Sequence, residues 1–214
     1  MSRMGNMDGA HHDVQPQRRR MDLKALRLAV HGWWLGNPLV YKPGSTDLMA
    51  IARELADAGA ASGALILDDA DSATAQSGKV AWATPTGRST ALHAIVIVRT
   101  KLSPSALGAE AAHAIAEVAQ DALGRPCSVH GRWEVVAGAA HGDPTRVGYT
   151  SIEAGDGVAF VDIRLMLAQL SLLAEASAGP GAPAGLLARE DWREVFLARA
   201  LHTLDGRLRA RCEA

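Results

Sequence analysis

The sequence has few cysteines and aromatic residues and no long apolar run, and each scarcity excludes a class of protein. Of the 214 residues, 4% are aromatic, and the only cysteines are Cys127 and Cys212. Two cysteines so far apart form no disulfide framework, which favours a reduced, cytoplasmic setting. No stretch approaches the ~18 consecutive apolar residues of a membrane-spanning helix, so we expect no membrane partner.

An excess of charge of one sign is also absent. The 22 Lys and Arg residues nearly balance the 23 Asp and Glu residues, for a formal net charge of −1. Because this balance lacks the basic excess typical of nucleic-acid-binding proteins, we expect no DNA partner. Asp68, Asp69 and Asp71 lie close together, but no further oxygen ligands follow at a set spacing, and no histidine outside the His11-His12 pair has metal-site spacing. We therefore predict no metal site.

The hydrophobic content is sufficient for one sizeable core. Hydrophobic residues make up 48% of the chain, which predicts a single domain over residues 22–214. Residues 1–21 are polar and lack the apolar centre of a secretory signal, so we predict a disordered arm; its arginines are alternatively a contact for an acidic partner. Residues 174–186 form an Ala/Gly/Pro connector, and an amphipathic helix over 189–211 follows it.

Hydrophobic periodicity predicts the elements between the arm and the connector. The predicted strands are Leu26–Val30, Leu39–Tyr41, 63–69, 79–84, 91–100, 127–138 and a hairpin over 146–167. The predicted helices begin after a cap at Ser45 or Thr46 and end at Gly59, run from Ser103 to Gly124, and occupy part of 165–173. This order predicts the α+β class, with a mixed, mostly antiparallel sheet and helices packed on one side.

One aromatic residue occupies an unusual context. Trp82 lies beside the turn Thr84-Pro85-Thr86-Gly87, directly before the apolar strand over 91–100. A tryptophan in this position either fills a core or forms the wall of a pocket. The turn is either a ligand-binding loop or a simple hairpin connection.

The order of these pieces resembles the catalytic domain of biotin–protein ligases, lipoate–protein ligases and octanoyltransferases, over about residues 39–211. Ser45-Thr46-Asp47 stands where that family has a Ser-Thr-Asn stretch before a helix, and Trp82 with its turn stands in the family's ligand-binding region. Residues 132–136 (RWEVV) correspond to the family's K-W-P-N-D strand, and residues 146–153 (RVGYTSIE) correspond to its R-K-x-x-G-I-L-x-E strand. The resemblance implies a biotin/lipoate ligase-like fold.

The resemblance also implies site residues. Arg132 and Arg146 stand at the spacing of two family lysines and are the implied catalytic residues, neutralising a carboxylate or phosphate. The implied ligand-binding residues are Ser45, Thr46, Lys79, Trp82, Thr84, Thr86, Gly87, Arg88, Trp133 and Gly148.

Two departures from the family pattern affect its nucleotide chemistry. Residues 68–79 contain no arginine, and Gly78 and Lys79 are their only glycine and base, where the family has a Gly/Arg-rich loop. Val135-Val136 replaces an Asn-Asp pair that would help to hold Mg²⁺. ATP and Mg²⁺ are therefore expected as cofactors only if ligase activity is retained. Neither cysteine is placed to serve as an octanoyltransferase nucleophile.

These observations predict a divergent member of the family that binds a small carboxylate of the biotin, lipoate or fatty acyl type. If it is an enzyme, the inherited activity is ATP-dependent acyl or biotinyl transfer to a lysine of an acceptor protein domain. The alternative is a non-catalytic ligand- or protein-binding member of the same fold. The resemblance also implies a homodimer paired through a sheet edge.

Overall fold

The computed structural model describes residues 21–45, 47–68, 91–138, 144–177 and 185–213. Residues 1–20 of the predicted arm (1–21) and the predicted strand over 79–84 lie outside these ranges, whereas Met21 is described and is 5% exposed. The helices are α1 (Leu23–Ala29), α2 (Leu48–Asp57), α3 (Pro104–Leu123), α4 (Leu167–Ser177) and α5 (Trp192–Glu213), with a 3-10 turn at Leu186–Ala188. The strands are β1 (Leu39–Tyr41), β2 (Leu65–Asp68), β3 (Ala91–Arg99), β4 (Cys127–His130), β5 (Glu134–Ala137), β6 (Thr145–Gly155) and β7 (Val158–Met166).

The described strands form one sheet in the order β1-β2-β3-β7-β6-β5-β4. β1 pairs with β2 in parallel, and every other neighbouring pair in this order is antiparallel. The predicted α+β class with a mixed, mostly antiparallel sheet is therefore confirmed. The β6–β7 hairpin turns at Asp156 and Gly157, whose φ angles of 51° and 75° are the positive values that such a tight turn requires.

The prediction of a strand over Leu26–Val30 is wrong, because this segment belongs mainly to α1. Asp22 caps α1: its Oδ1 accepts hydrogen bonds from the backbone N–H groups of Lys24 (2.9 Å) and Ala25 (3.0 Å). Leu26 and Val30 lie four residues apart, which places both on one face of a helical turn, and both are 0% exposed. A short apolar run flanked by a capping aspartate fits a buried helix as well as a strand.

Two further boundaries differ from prediction. The cap of α2 is Asp47, which accepts from the N–H of Ala50 at 2.9 Å, rather than Ser45 or Thr46. The predicted strand over 127–138 divides into β4 and β5, because the chain turns at 131–133. Gly131 and Trp133 have φ angles of 50° and 70° in this turn, and a strand cannot continue through such values.

The helices lie on both faces of the sheet, so the prediction that they lie on one side is wrong. On one face, which we call the helical face, α1, α3, α4 and α5 cover the larger core. On the other face, which we call the open face, α2 forms a smaller core with alternate residues of β2, β3 and β7. Because side chains alternate along a strand, Val96 and Val98 of β3 face the larger core while Ile95 and Ile97 face α2.

The helix α2 covers one half of the open face. Its buried partners there are Ile66, Ile95, Ile97 and Phe160. In the other half, the same strands carry polar side chains, and those of His93 and Arg164 are 25% and 34% exposed. The fold therefore presents a partly exposed polar surface beside a packed apolar one.

The helix predicted near the C-terminus is present in the structure as α5. The helix α5 packs on the larger core through Phe196, Leu197, Leu201 and Leu204, which are at most 1% exposed. The helix α4 continues through Ser177, so the first four residues of the predicted connector are helical. Residues 178–184 of that connector lie outside the described ranges.

Candidate functional site

A row of polar side chains crosses the open face beyond α2. Each member lies directly opposite the next in the register of neighbouring strands, from β2 through β3, β7, β6 and β5 to β4. Because paired residues project on the same side of a sheet, all members face the open side. The polar row consists of Asp68, His93, Arg164, Tyr149, Glu134 and His130.

At the centre of the polar row, three strands supply side chains around one buried carboxylate. Asp162 is 4% exposed, and its Oδ1 lies 2.9 Å from Nε2 of His93. Arg164 donates to Asp162 through Nε (3.4 Å) and Nη2 (3.1 Å), and Ser151 donates through Oγ at 3.3 Å. Among the described residues, Nε2 of His93 makes no aligned hydrogen bond despite this short distance. We call these four residues the Asp162 cluster.

The charge of Asp162 is stabilised by its neighbours. Burial by itself raises the pKa of this carboxyl group, but the contacts with His93 and Arg164 outweigh burial and hold the pKa below its ordinary value of 3.8. Asp162 is therefore a fixed negative charge at neutral pH. It holds the Arg164 guanidinium against the sheet and orients it.

A β-bulge brings Arg146 to the same side of the sheet. β5 and β6 pair Val135 with Gly148 and then Val136 with Arg146, so Val147 is the extra residue. Val147 and Val135 both face the larger core, and the bulge thereby turns Arg146 to the open face. There its Nη2 lies 2.6 Å from Oε1 of Glu134, a member of the polar row.

The loop after β1 is tied to the other end of the polar row. Oδ1 of Asp68 accepts a hydrogen bond from the N–H of Gly44 at 3.0 Å, and the N–H of Ser45 donates to the carbonyl of Lys42 at 3.4 Å. The predicted ligand-binding residue Ser45 is thus in a turn beside the Asp68 end of the row. Thr46 lies outside the described residues.

Arg132 and Trp133 lie elsewhere. The six-membered ring of Trp133 packs on Gly108 of α3, so closely that a Cβ atom at Gly108 would lie 2.5 Å from Cε2 of the indole. The Cζ atom of Arg132 lies 5.2 Å from the Trp133 ring centroid. Both residues line a cavity of about 540 Å³ with Ser103 and Pro104 at the start of α3. Arg146, which pairs with Glu134 on the open face, is not among the described residues that line this cavity, so Arg132 and Arg146 do not share it.

Gly148 has a packing role in the structure. It faces α3, and a Cβ atom there would lie 3.1 Å from Cγ2 of Ile115. The remaining predicted ligand-binding residues lie outside the described ranges, and their roles stay predictions. These residues are Lys79, Trp82, Thr84, Thr86, Gly87 and Arg88.

Comparison with solved structures identifies the architecture. The sequence matches no protein-family model and no curated protein. A mutant biotin protein ligase from Aquifex aeolicus in complex with biotin is similar in structure, with a TM-score of 0.55, 13% identity, and coverage of 82% of this chain and 72% of that chain. The apo ligase of the same organism gives a TM-score of 0.51 at 12% identity, covering 82% and 69% of the two chains. Its complex with biotin and ATP gives 0.50 at 12% identity, covering 80% and 70%.

The chain has a biotin/lipoate ligase-like fold. The resemblance expected from the sequence is thereby confirmed at the level of the fold, and the low identities fit a divergent member.

The residues of this ligase-like fold do not form a metal site in the part of the chain that the structure describes. No group of three or more His, Cys, Asp and Glu side chains converges there. Val135 and Val136, which replace the Asn-Asp pair of the resemblance, are buried and carry no oxygen ligand. The described residues therefore supply no such cluster of ligands for a metal ion. Within the same described ranges, no helix has the length and hydropathy to span a membrane.

The residues predicted from the sequence do not include the Asp162 cluster, although the sequence contains a pattern that indicates it. Asp162 and Arg164 are two residues apart in the apolar strand VAFVDIRLM, which places both on one face of β7. His93 interrupts the apolar strand β3 in the same way. Charged residues on a buried strand are costly unless they are paired, so such positions indicate a polar site on the sheet.

Proposed function

We propose that this protein binds a small carboxylate-bearing ligand over the polar row of its ligase-like sheet. The observation that carries the proposal is the polar row itself, in which six polar side chains occupy one line of the sheet beside a well-packed apolar core. Polar side chains at these positions lose the stabilisation that buried apolar side chains would provide. Proteins retain such departures mainly at functional sites.

Arg164 is the residue that we assign to the ligand carboxylate. Its Nε and Nη2 atoms are bound to Asp162, and its Nη1 atom has no hydrogen-bond partner among the described residues. The side chain is 34% exposed and is held in place by a buried charge. A guanidinium with a remaining donor, oriented in advance, binds a carboxylate at a small cost in side-chain entropy.

Arg146 is a second cation on the same face. It stands at a lysine position of the resemblance, and its side chain is 39% exposed beside Glu134. In a ligase reaction, its charge would neutralise a developing phosphate or a carboxylate at that end of the row. The Aquifex aeolicus ligase of the same fold binds biotin and ATP, which supports a carboxylate of the biotin, lipoate or fatty acyl type here.

The binding proposal is tested by calorimetry with biotin, lipoate and octanoate. We expect one of the three to bind, and we expect Arg164→Ala to weaken that binding by about 1.5–3 kcal/mol, since a charge-assisted hydrogen bond is lost. Arg189→Ala is the matched control, because Arg189 pairs with Asp191 on the surface, outside the row. Absence of binding by all three, or equal affinity of the Arg164→Ala variant and the wild type, would contradict the proposal.

The inherited reaction is a separate proposal: the carboxylate attacks the α-phosphate of ATP to form an acyl-adenylate and release pyrophosphate, and the amine of an acceptor-domain lysine then attacks the acyl carbon and displaces AMP. Pyrophosphate release from ATP in the presence of the bound carboxylate tests the first half. Release that falls in the Arg146→Ala variant would support ligase chemistry. Binding without release would leave a ligand-binding protein on the same scaffold, which is the non-catalytic alternative.

A further inference from the structure

A second cavity lies at the far end of the sheet from the polar row. Its volume is about 650 Å³, which falls in the usual range for small-molecule sites. On β3, Arg99 at this cavity is six residues from His93, so the two sites are separated by about 20 Å along the strand. The cavity is lined in part by Trp34, Arg99, Lys101, Leu102, Leu208 and Arg211.

Three cations line this cavity, and no acidic residue is among its described lining residues. Arg99 donates from Nη2 to the backbone carbonyls of Ala56 (3.3 Å) and Ala60 (3.5 Å) at the C-terminal end of α2, and no carboxylate of the described residues pairs with it. Lys101 is exposed and makes no ion pair among the described residues. Arg211 donates from Nε to Glu110 at 2.7 Å. The cavity therefore has a positive balance of charge although the whole chain is nearly neutral.

The cavity also has an apolar side that is held in place. Leu208 of α5 is 2% exposed, and Leu102 and Trp34 pack against the larger core. The backbone carbonyl of Trp34 approaches Gly63 so closely that a Cβ atom there would clash with it. The neighbouring Trp33 ring lies 4.5 Å, centroid to centroid, from that of His202 on α5. An apolar wall fixed at both ends suits a ligand with an apolar body.

We propose that this cavity is a binding site for a small organic anion whose apolar part contacts Trp34 and whose charged group, a phosphate or a carboxylate, meets Arg99 and Lys101. Such a ligand matches both features of the lining: the apolar wall, and the two cations without a carboxylate partner among the described residues. The site is independent of the polar row. Its ligand need not be the carboxylate proposed for that row.

The test uses phenyl phosphate as the probe. Its binding is measured by calorimetry and by NMR of the labelled protein. We expect saturable binding, with shifts at the Trp34 indole N–H and at the amide groups of Lys101 and Leu102. Inorganic phosphate and phenol should each bind more weakly than phenyl phosphate, because each carries one half of the recognition. Lys101→Glu should reduce the affinity for phenyl phosphate by about tenfold or more, since it reverses one of the two charges that have no carboxylate partner among the described residues.

Lys24→Glu is the matched control, because Lys24 is an exposed lysine on α1 that does not line the cavity. Both variants change the net charge equally, so an equal loss of affinity in both would show unspecific electrostatics and overturn the proposal. Absence of saturable binding, or shifts confined to other residues, would also overturn it. Arg164→Ala should leave phenyl phosphate binding unchanged, which separates this site from the polar row.

Discussion

Nε2 of His93 on β3 and Oδ1 of Asp162 on β7 lie 2.9 Å apart across two neighbouring strands. This contact places a titratable ring beside a carboxylate that is almost entirely withdrawn from water. Arg164 binds the same carboxylate from the other direction along β7. The polar half of the open face is therefore organised around one buried charge.

The first prediction concerns the pH dependence that Asp162 confers. Its pKa is below the ordinary 3.8 in the folded protein, so the unfolded state binds the proton more readily. The stabilisation by Asp162 is therefore full above about pH 4 and is lost as pH falls through the lowered folded pKa. Urea unfolding between about pH 3 and pH 6 should show the wild type losing its advantage over Asp162→Asn below pH 4. A difference in stability that does not change over this range would contradict the assignment.

The second prediction concerns the contact between α3 and α5. Glu110 of α3 is 6% exposed and accepts from Arg207 (3.2 Å) and Arg211 (2.7 Å) of α5. Burial opposes its charge, but these arginines outweigh burial and lower its pKa. Glu110→Gln should reduce the free energy of unfolding by about 1.5–3 kcal/mol, because it removes a charge that satisfies two guanidinium groups.

Glu117 provides the control for that experiment. It accepts from the same Arg207 at 3.0 Å, but its side chain is 53% exposed. Glu117→Gln should therefore change stability by less than about 1 kcal/mol. Equal effects of the two substitutions would show that burial of Glu110 does not increase the contribution of its ion pairs to stability.

The third prediction tests the position of Trp133. Gly108 is inside α3, and alanine there would normally stabilise a helix by up to about 1 kcal/mol. The new Cβ atom would, however, lie 2.5 Å from the Trp133 indole. Gly108→Ala should therefore destabilise the protein by about 1–3 kcal/mol in thermal or urea unfolding.

Gly206 is the matched glycine for this test. It lies inside α5, is exposed, and nothing lies within 4 Å of a Cβ atom placed on it. Gly206→Ala should stabilise the protein by about 0.5–1 kcal/mol. If Gly108→Ala were as stabilising as Gly206→Ala, the Trp133 ring would not lie against α3.

The fourth prediction concerns the thiol of Cys127. Burial raises its pKa from 9.0 to about 11, with Arg125 opposing this shift only in part. The thiol is therefore protonated at neutral pH and is a poor nucleophile. In a Cys212→Ser background, iodoacetamide should label the folded protein at least about tenfold more slowly than the urea-unfolded protein. Equal rates would reopen the cysteine-nucleophile chemistry of the octanoyltransferases.

Alternating patterns made most of the sheet predictable from the sequence. β3 and the β6–β7 hairpin are rich in β-branched residues, and the hairpin also has a clear Asp-Gly turn. The sequence therefore predicts both elements correctly. The α1 segment was not predicted correctly, because Leu26–Val30, with four apolar residues around Arg27, fits a buried strand and a buried helix equally well. The Gly131–Trp133 turn was missed because a tryptophan at positive φ has no sequence signal.

The candidate site was predictable only in part. The resemblance implies Arg146 as a site residue, but the bulge at Val147 that turns it to the open face is a property of the pairing with β5. The resemblance implies that Arg132 and Arg146 share a pocket, whereas Arg132 lines the cavity beside Trp133 and Arg146 pairs with Glu134 on the open face. Asp162 meets His93 because of strand order, and strand order depends on the whole fold.

The central claim is that a small carboxylate binds over the polar row, and amide chemical-shift mapping tests it most directly. On titration of the labelled protein with biotin, lipoate or octanoate, we expect saturable shifts at His93, Tyr149 and Arg164, and loss of these shifts in Arg164→Ala but not in Arg189→Ala. Saturable shifts that leave these three amides unmoved, or no shifts with any of the three carboxylates, would contradict the claim.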